Sequence, residues 1–297
     1  MRLGIDLGGT KIEIVAIARD GRELLRHRTS TPRTDYESTI RAIADLVHET
    51  ESELGQTGTL GVAIPGAISQ KTGLVKNANS TMLIGHPLDK DLEAALGRPV
   101  RVANDANCFT LSEATDGAGH GHDVVFGVIL GTGVGGGVCV GGRALSGPHR
   151  ITGEWGHNPL PAPRADERSS FDCYCGSKKG CIEGWISGPA LSAQYKARTG
   201  HDMIATDIAT ATDEDARAVM EDFLDRLARS LASIVNVLDP DCIVIGGGLS
   251  KIDAIYREVP ARIEKYAFHP ESPPRILKNV HGDSSGVRGA AWLWPEK

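Results

Sequence analysis

Seven residues near the middle of the chain, Gly131-Thr132-Gly133-Val134-Gly135-Gly136-Gly137, stand between two apolar runs, Val124 to Leu130 and Val138 to Val140. An apolar run, a glycine turn and a second apolar run read as a β-hairpin. Glycines at this density allow positive φ and let backbone amides approach a ligand, which suits an anion such as phosphate. The first six residues also satisfy G-x-G-x-x-G, but a dinucleotide-binding turn must open a helix, and a β-like run follows here. A Rossmann fold is therefore disfavoured. A glycine-rich hairpin without a ligand stays open as the alternative on these residues alone.

The same pattern opens the chain. Leu3 to Leu7 runs into Asp6-Leu7-Gly8-Gly9-Thr10-Lys11 and continues with Ile12, Ile14 and Ile17, again strand, glycine turn, strand. The spacing is not that of a Walker loop, and no helix follows. A third strand, Glu23 to Thr29, precedes a helix from Tyr36 to Leu54, where Ile40, Ile43, Ala44, Val47 and Leu54 recur near the helical period. A buried strand (Leu60 to Ile64), a helix (Leu88 to Leu96), a strand (Val100 to Ala103) and a helix from Ala106 complete the first half. Beyond the central hairpin, Val219, Met220, Phe223, Leu224, Leu227, Leu231, Ile234, Val235 and Leu238 mark one face of a long amphipathic helix. A strand from Cys242 to Ile245 then runs into Gly246-Gly247-Gly248. Two halves that each open on a hairpin and then alternate helix and strand imply two similar α/β domains with a cleft between them. The expected boundaries are 1–117 and 118–285, with a terminal helix over 286–297 returning to the first domain.

A length of 297 residues, 40% of them hydrophobic and 24% charged, supports two domains with real cores and excludes disordered and collagen-like classes. The net charge of −6, with signs interspersed, argues against a nucleic-acid partner. The nearest basic cluster, Arg22, Arg26, Arg28 and Arg33, has the spacing of an exposed strand edge. No run approaches a membrane span and strand-like sequence begins by Leu3, so a cytoplasmic protein without a membrane partner is expected. Six cysteines in that compartment read as free thiols or metal ligands before disulfides.

Two constellations carry chemistry. Asn104-Asp105 stands where a strand ends, the position at which open α/β sheets place ligands. Asp105 reads as a general base for a hydroxyl attacking phosphate, and equally as the N-cap of the helix from Ala106. His157, Cys173, Cys175 and Cys181 offer one imidazole and three thiolates, the closed tetrahedral set of structural Zn²⁺. Unliganded thiols are the alternative; a redox pair is disfavoured because one residue, not two, separates Cys173 from Cys175.

The segments Asp6 to Lys11, Leu130 to Gly133 and Gly246 to Gly248 resemble the two phosphate motifs and the adenosine motif of the actin-like (ribonuclease H-like) ATPase superfamily. Gly153-Glu154-Trp155-Gly156-His157, with Cys173-x-Cys175-Gly176 and Gly180-Cys181-Ile182-Glu183, resembles the ROK family of sugar kinases across essentially the whole chain. Within it, Asn77-Ala78-Asn79-Ser80-Thr81, the block 153–161 and His281-Gly282-Asp283-Ser284-Ser285-Gly286 look most like bacterial fructokinases of the mannokinase type, with N-acetylglucosamine kinases as near relatives. The resemblance implies two actin-like α/β domains with an interdomain cleft and ATP-dependent phosphorylation of a hexose. D-fructose to D-fructose 6-phosphate comes first, N-acetylglucosamine or glucose second, with Asp105 as the base. A non-catalytic sugar-binding module would be expected to lack the base or the phosphate hairpins, all of which are present, and a sugar-responsive repressor of the same family would need an added helix-turn-helix, for which the sequence before Leu3 leaves no room.

The same resemblance assigns ATP to Asp6, Gly8, Gly9, Thr10, Lys11, Gly131, Thr132, Gly133, Gly246, Gly247 and Gly248, with Asp6 holding Mg²⁺ through water. It assigns the sugar to Asn79, Asn104, Asp105, Glu154, His157 and Glu183, structural Zn²⁺ to the insertion 153–183, and implies a homodimer. One departure stands out: Ser177-Lys178-Lys179 puts three residues between Gly176 and Gly180 where the family pattern has two. Should a metal fix one ring nitrogen of His157, the other would face the sugar together with Glu154 and Glu183. Loss of the metal is then expected to disturb sugar contacts more than ATP contacts.

Overall fold

The computed structural model describes all residues except Arg33, Asn79, 168–172, Tyr174, 177–179, 283–284 and 295–297. In chain order the elements are β1 (Arg2–Leu7), β2 (Lys11–Ile17), β3 (Glu23–Ser30), α1 (Tyr36–Leu54), β4 (Thr59–Ile64), β5 (Ala67–Ile68), β6 (Val75–Lys76), α2 (Leu88–Leu96), β7 (Val100–Asn104) and α3 (Asp105–Asp116). There follow β8 (Val124–Leu130), β9 (Val134–Val140), β10 (Arg143–Ala144), α4 (Glu183–Ile186), α5 (Gly188–Thr199), α6 (Ala205–Ile208), α7 (Glu214–Leu238), β11 (Cys242–Gly246), α8 (Asp253–Ile263), β12 (Ile276–Lys278) and α9 (Ser285–Ala291).

Two sheets repeat one pattern, β3-β2-β1-β4-β7 and β10-β9-β8-β11-β12. In the first, β1 pairs antiparallel with β2 and parallel with β4, which is parallel to β7. In the second, β11 is parallel to both β8 and β12. The duplicated α/β organisation expected from the two hairpins is present. The chain forms two compact units, one of Met1–Gly121, Gly137–Thr152 and Asp283–Lys297, the other of His122–Gly136 and Gly153–Gly282.

In the first unit α1 starts on Asp35, whose side chain accepts from the Ser38 amide, and stops on Gly55 in the left-handed region. Its Ile43 and Val47 join Leu3, Ile5 and Leu7 of β1 and Leu60, Val62 and Ile64 of β4 in one core. β3 is the edge strand, and its Arg26 and Arg28 pair with the buried Glu13 of β2. The arginine spacing is thus an edge-strand feature; Arg33 lies outside the described residues.

α9 belongs to this unit and meets it backbone to backbone. A Cβ built on Gly289 would lie 1.7 Å from the Cys108 carbonyl oxygen, one on Gly4 2.0 Å from that of Val287, and one on Gly61 1.9 Å from that of Ala290. Polar ties back this packing: Ser285 Oγ donates to the buried Glu113 at 2.7 Å, and Arg288 pairs with Asp116 and donates to the Gly21 carbonyl at 2.8 Å. Gly289→Ala forces a methyl into occupied space. It is expected to lower the urea midpoint by the equivalent of about 1–3 kcal/mol, and an unchanged midpoint would contradict the packing.

In the second unit α7 buries Val219, Met220, Phe223, Leu224, Leu227 and Leu231. The predicted face narrows beyond them: Ile234, Val235 and Leu238 are only half-buried, as the last turns leave the core and Val237 is 88% exposed. The same helix buries Arg226 and Arg229. Both reach Glu167, Arg226 Nε at 2.7 Å and Arg229 Nη2 at 2.8 Å. Among the described residues no helix is long and apolar enough to cross a membrane.

Candidate active site

The parallel strands of the first unit end together. Asp6 is in register with Ala63, Ala63 with Ala103, and Ile64 with Asn104, so Asp6 and Asn104-Asp105 share one end of the sheet. Asn104, still extended, caps α3: its Oδ1 accepts from the amides of Ala106 at 2.9 Å and Asn107 at 3.4 Å. The cap is therefore Asn104 and not Asp105, because an N-cap needs the extended backbone of the last strand residue. Asp105 is the first helical residue and its Oδ1 accepts from Ala106 N at 2.8 Å. Asn104, expected at the sugar, already commits its side-chain oxygen to the helix.

Desolvation pushes the Asp6 carboxyl above its ordinary range; Glu13 reinforces this and Lys11 opposes it. Burial first, then the charges of Asp105 and Asp6, push the Cys108 thiol up, so one point on α3 feels both carboxylates. The Gly8-Gly9 turn is closed by Gly8 N donating to Lys11 O at 3.0 Å and by Thr31 Oγ1 donating to Gly8 O at 2.7 Å. Thr10 and Lys11 are exposed, and Lys11 Nζ lies 3.5 Å from Glu13. Beside the turn a cavity of about 240 Å³ is lined by Gly8, Gly9, Thr31, Thr39, Ser80 and Thr81 among others. Thr31 and Thr39 were not singled out by the sequence, since a lone hydroxyl carries no pattern; Thr81 stood only as the end of the 77–81 motif. Asn79 lies outside the described residues.

In the second unit Gly131 N donates to Gly133 O at 3.0 Å, closing the turn between β8 and β9. None of the glycines from 131 to 137 occupies the left-handed region, contrary to the expectation from their density. They provide space. A Cβ on Gly133 would lie 2.7 Å from Glu183 Oε2, and one on Gly136 would lie 2.8 Å from Gly127 O and 2.9 Å from the Trp155 ring. Thr132 is exposed at the tip. Gly246 ends β11 in register with Ile129 of β8, so the Gly246 to Gly248 turn comes alongside the first. Gly247, at φ +82°, does need to be glycine, and a Cβ there would lie 2.4 Å from Leu130 O. The chain then makes a short 3-10 turn, Gly248–Lys251, before α8.

The donor atoms of His157, Cys173, Cys175 and Cys181 all lie within 4.8 Å of one another. His157 Nδ1 and Cys173 Sγ are 3.6 Å apart, matching the roughly 3.6 Å that tetrahedral Zn–N and Zn–S bonds of ~2.05 and ~2.3 Å impose on a nitrogen and a sulfur. None of the six cysteines forms a disulfide. Burial and the neighbouring thiols push Cys181 up to about 12. With Nδ1 turned to the thiols, His157 Nε2 faces Glu154, 3.9 Å away. Glu154 is exposed, whereas Glu183 is buried and its Oε2 accepts from Val134 N at 2.8 Å. Burial is the main cause that pushes the Glu183 carboxyl up.

The block 153–157 is seated on the hairpin. A Cβ on Gly156 would lie 2.0 Å from Val134 O, and Trp155 Nε1 donates to Gly135 O at 2.9 Å. The residues 177–179, which set this insertion apart, lie outside the described residues, as do Asp283 and Ser284. Sequence reasoning missed Ser187 and Gly188 at the start of α5, where Gly188 N donates to Gly131 O at 2.8 Å. The signal was available, since Ser followed by Gly-Pro is a helix-start signature.

The profile of the ROK family matches residues 2–297. The N-acetyl-D-glucosamine kinase of Yersinia pseudotuberculosis is 41% identical over 300 residues, covering 99% of this chain and 98% of its own. The crystal structure of a ROK hexokinase from Thermus thermophilus superposes with a TM-score of 0.85 at 29% identity, covering 98% of this chain and 97% of its own. A ROK family glucokinase from Streptomyces griseus, in complex with glucose and AMPPNP, superposes with a TM-score of 0.77 at 27% identity, covering 98% of each chain.

Proposed function

The chain belongs to the ROK family, and on that premise we propose that it is a sugar kinase transferring the γ-phosphoryl group of ATP to a hydroxyl of N-acetyl-D-glucosamine. The observation that carries the reading is Asp105 in the first turn of α3, at the sheet end it shares with Asp6, with the capping done by Asn104. Phosphoryl transfer asks a protein for position and charge neutralisation more than for covalent chemistry. Asp105 takes the proton of the attacking hydroxyl. Asn79, Asn104, Glu154, His157 and Glu183 hold the other hydroxyls, which carry no charge and need paired hydrogen bonds.

Gly9, Thr10 and Lys11 in the first unit and Thr132 and Gly133 in the second offer donors to phosphate oxygens, on turns that the Gly8 and Gly131 amides close. The Gly246 to Gly248 turn receives adenine and ribose, and a Cβ at Gly248 would meet nothing within 4 Å. A desolvated carboxyl crowded by Glu13 is the kind of group that a hard cation satisfies, which suits Asp6 for Mg²⁺ through water. Mg²⁺, when bound, neutralises phosphate charge. The donor chemistry of His157, Cys173, Cys175 and Cys181 fits a structural Zn²⁺.

The acceptor is read from the N-acetyl-D-glucosamine kinase, 41% identical across 99% of the chain. The fructose preference expected from the segments 77–81, 153–161 and 281–286 has no comparable support. A coupled ADP-release assay comparing kcat/KM for N-acetylglucosamine, glucose, mannose and fructose is expected to favour N-acetylglucosamine by about tenfold or more, some 1.4 kcal/mol of transition-state preference. A lead for fructose would restore the first expectation, and no turnover with any of the four would remove the kinase reading.

A further inference from the structure

One short segment holds the Gly131 to Val134 turn from both sides. Glu183 is 7% exposed and opens α4, and its Oε2 accepts from Val134 N at 2.8 Å. At the far end of α4, Ser187 N donates to Glu183 O at 3.0 Å, and the next residue, Gly188, donates its amide to Gly131 O at 2.8 Å. The turn has no slack on this side, because a Cβ on Gly133 would lie 2.7 Å from that same Glu183 oxygen.

The segment begins at the thiol set. Cys181 forms a β-bridge with Pro159, and Ile182 N donates to Asn158 O at 2.9 Å. A single residue, Ile182, therefore separates a candidate metal ligand from the carboxylate that fixes the turn. A buried carboxylate accepting from a backbone amide makes a strong, directional tie, and removing it leaves the amide without its acceptor. A bound metal orders the residues around its ligands. Order imposed at Cys181 passes through Ile182 and Glu183 to Val134.

We propose that Glu183 is a positioning residue that ties the Gly131 to Val134 turn to the His157, Cys173, Cys175 and Cys181 set. Loss of the metal then loosens the nucleotide side of the site as well as the sugar side. This adds a nucleotide-side effect to the expectation that metal loss disturbs sugar contacts more than ATP contacts. The inference rests on the kinase reading for what the turn binds, but the tie itself does not depend on it.

The test follows hydrogen–deuterium exchange at 131–134 in the full-length metal-loaded protein, with metal content measured by mass spectrometry and MgADP affinity by calorimetry. Glu183→Ala is expected to speed exchange at 131–134 and to weaken MgADP, each by about tenfold, with metal content unchanged. Chelation of the wild-type protein is expected to speed exchange at the same amides. Glu183→Gln keeps an oxygen acceptor for Val134 and is expected to stay within about threefold of wild type in both measurements. Unchanged exchange at 131–134, in Glu183→Ala or after chelation, overturns the proposal. Wild-type protein that binds no MgADP would remove the kinase reading, while the exchange data would still decide whether the tie exists.

Discussion

Asp105→Asn is expected to lower kcat by roughly 10²–10⁴-fold, the usual contribution of a general base, while sugar affinity changes by no more than a few-fold. The substitution is nearly isosteric. It retains an oxygen to accept from Ala106 N, as Asp105 Oδ1 does at 2.8 Å, and it leaves the Asn104 cap in place, so α3 starts where it did. What disappears is a group able to take a proton. An effect confined to kcat therefore identifies the base, whereas an equal loss in sugar affinity would make Asp105 a positioning group. Turnover by ADP release and sugar binding by calorimetry on the same preparation separate these outcomes, and retained turnover removes Asp105 from the mechanism.

The second large effect is on stability. Glu167→Ala is expected to cost about 3–5 kcal/mol, because it removes the carboxylate that two buried guanidinium groups share, leaving Arg226 with Gln194 and Asp222 and Arg229 with Asp225 and the Pro161 and Ala162 carbonyls. Arg229 Nη2 donates to both Glu167 oxygens at 2.8 and 2.9 Å, Arg226 Nε donates at 2.7 Å, and the Arg164 amide donates at 2.8 Å. Burial alone would raise the Glu167 carboxyl, but the hydrogen bonds from Arg229, the Arg164 amide and Arg226 outweigh it and hold it down to about 2, against an ordinary 4.5. A carboxyl depressed in the folded state contributes its stability fully above the unfolded value and loses it as pH falls toward the folded one. The wild-type urea midpoint should thus fall between pH 4.5 and about 2, and the variant should be less stable at pH 7 with a flatter acid limb. A difference below about 1 kcal/mol at pH 7 would mean that the acceptors the two arginines keep are sufficient for them.

The strands and helices were legible because their signals are local. Alternation, helical period and glycine turns each sit within a few residues, and they give β1 to β4, α1 and the hairpin of β8 and β9. The thiol set was legible for a similar reason, since four ligand-type residues crowd into 157–181. What escaped depends on partners far away in the chain. Arg226 and Arg229 look like solvated positions on α7 until Glu167 arrives from the insertion. Gly136 looks like a residue chosen for its backbone freedom until Gly127 and Trp155 close on it. The choice between Asn104 and Asp105 as cap turns on the last extended residue, and sequence signals locate element ends poorly.

The small residues at which α9 meets β1, β4 and α3 set an order for synthesis. Val15 and Ile17 pack with Val287 and Ala291, and Ala63 and Cys108 pack with Ala290. These partners come from the opposite end of the sequence, so a nascent chain that has delivered all of β1 to α3 still carries an uncovered apolar flank. The second unit, contained in residues 122–136 and 153–282, has its own strands and helices before α9 is made. The second unit is thus expected to be able to complete its core during synthesis while the flank of the first unit, begun earlier, stays open to chaperones or to aggregation until α9 has been made.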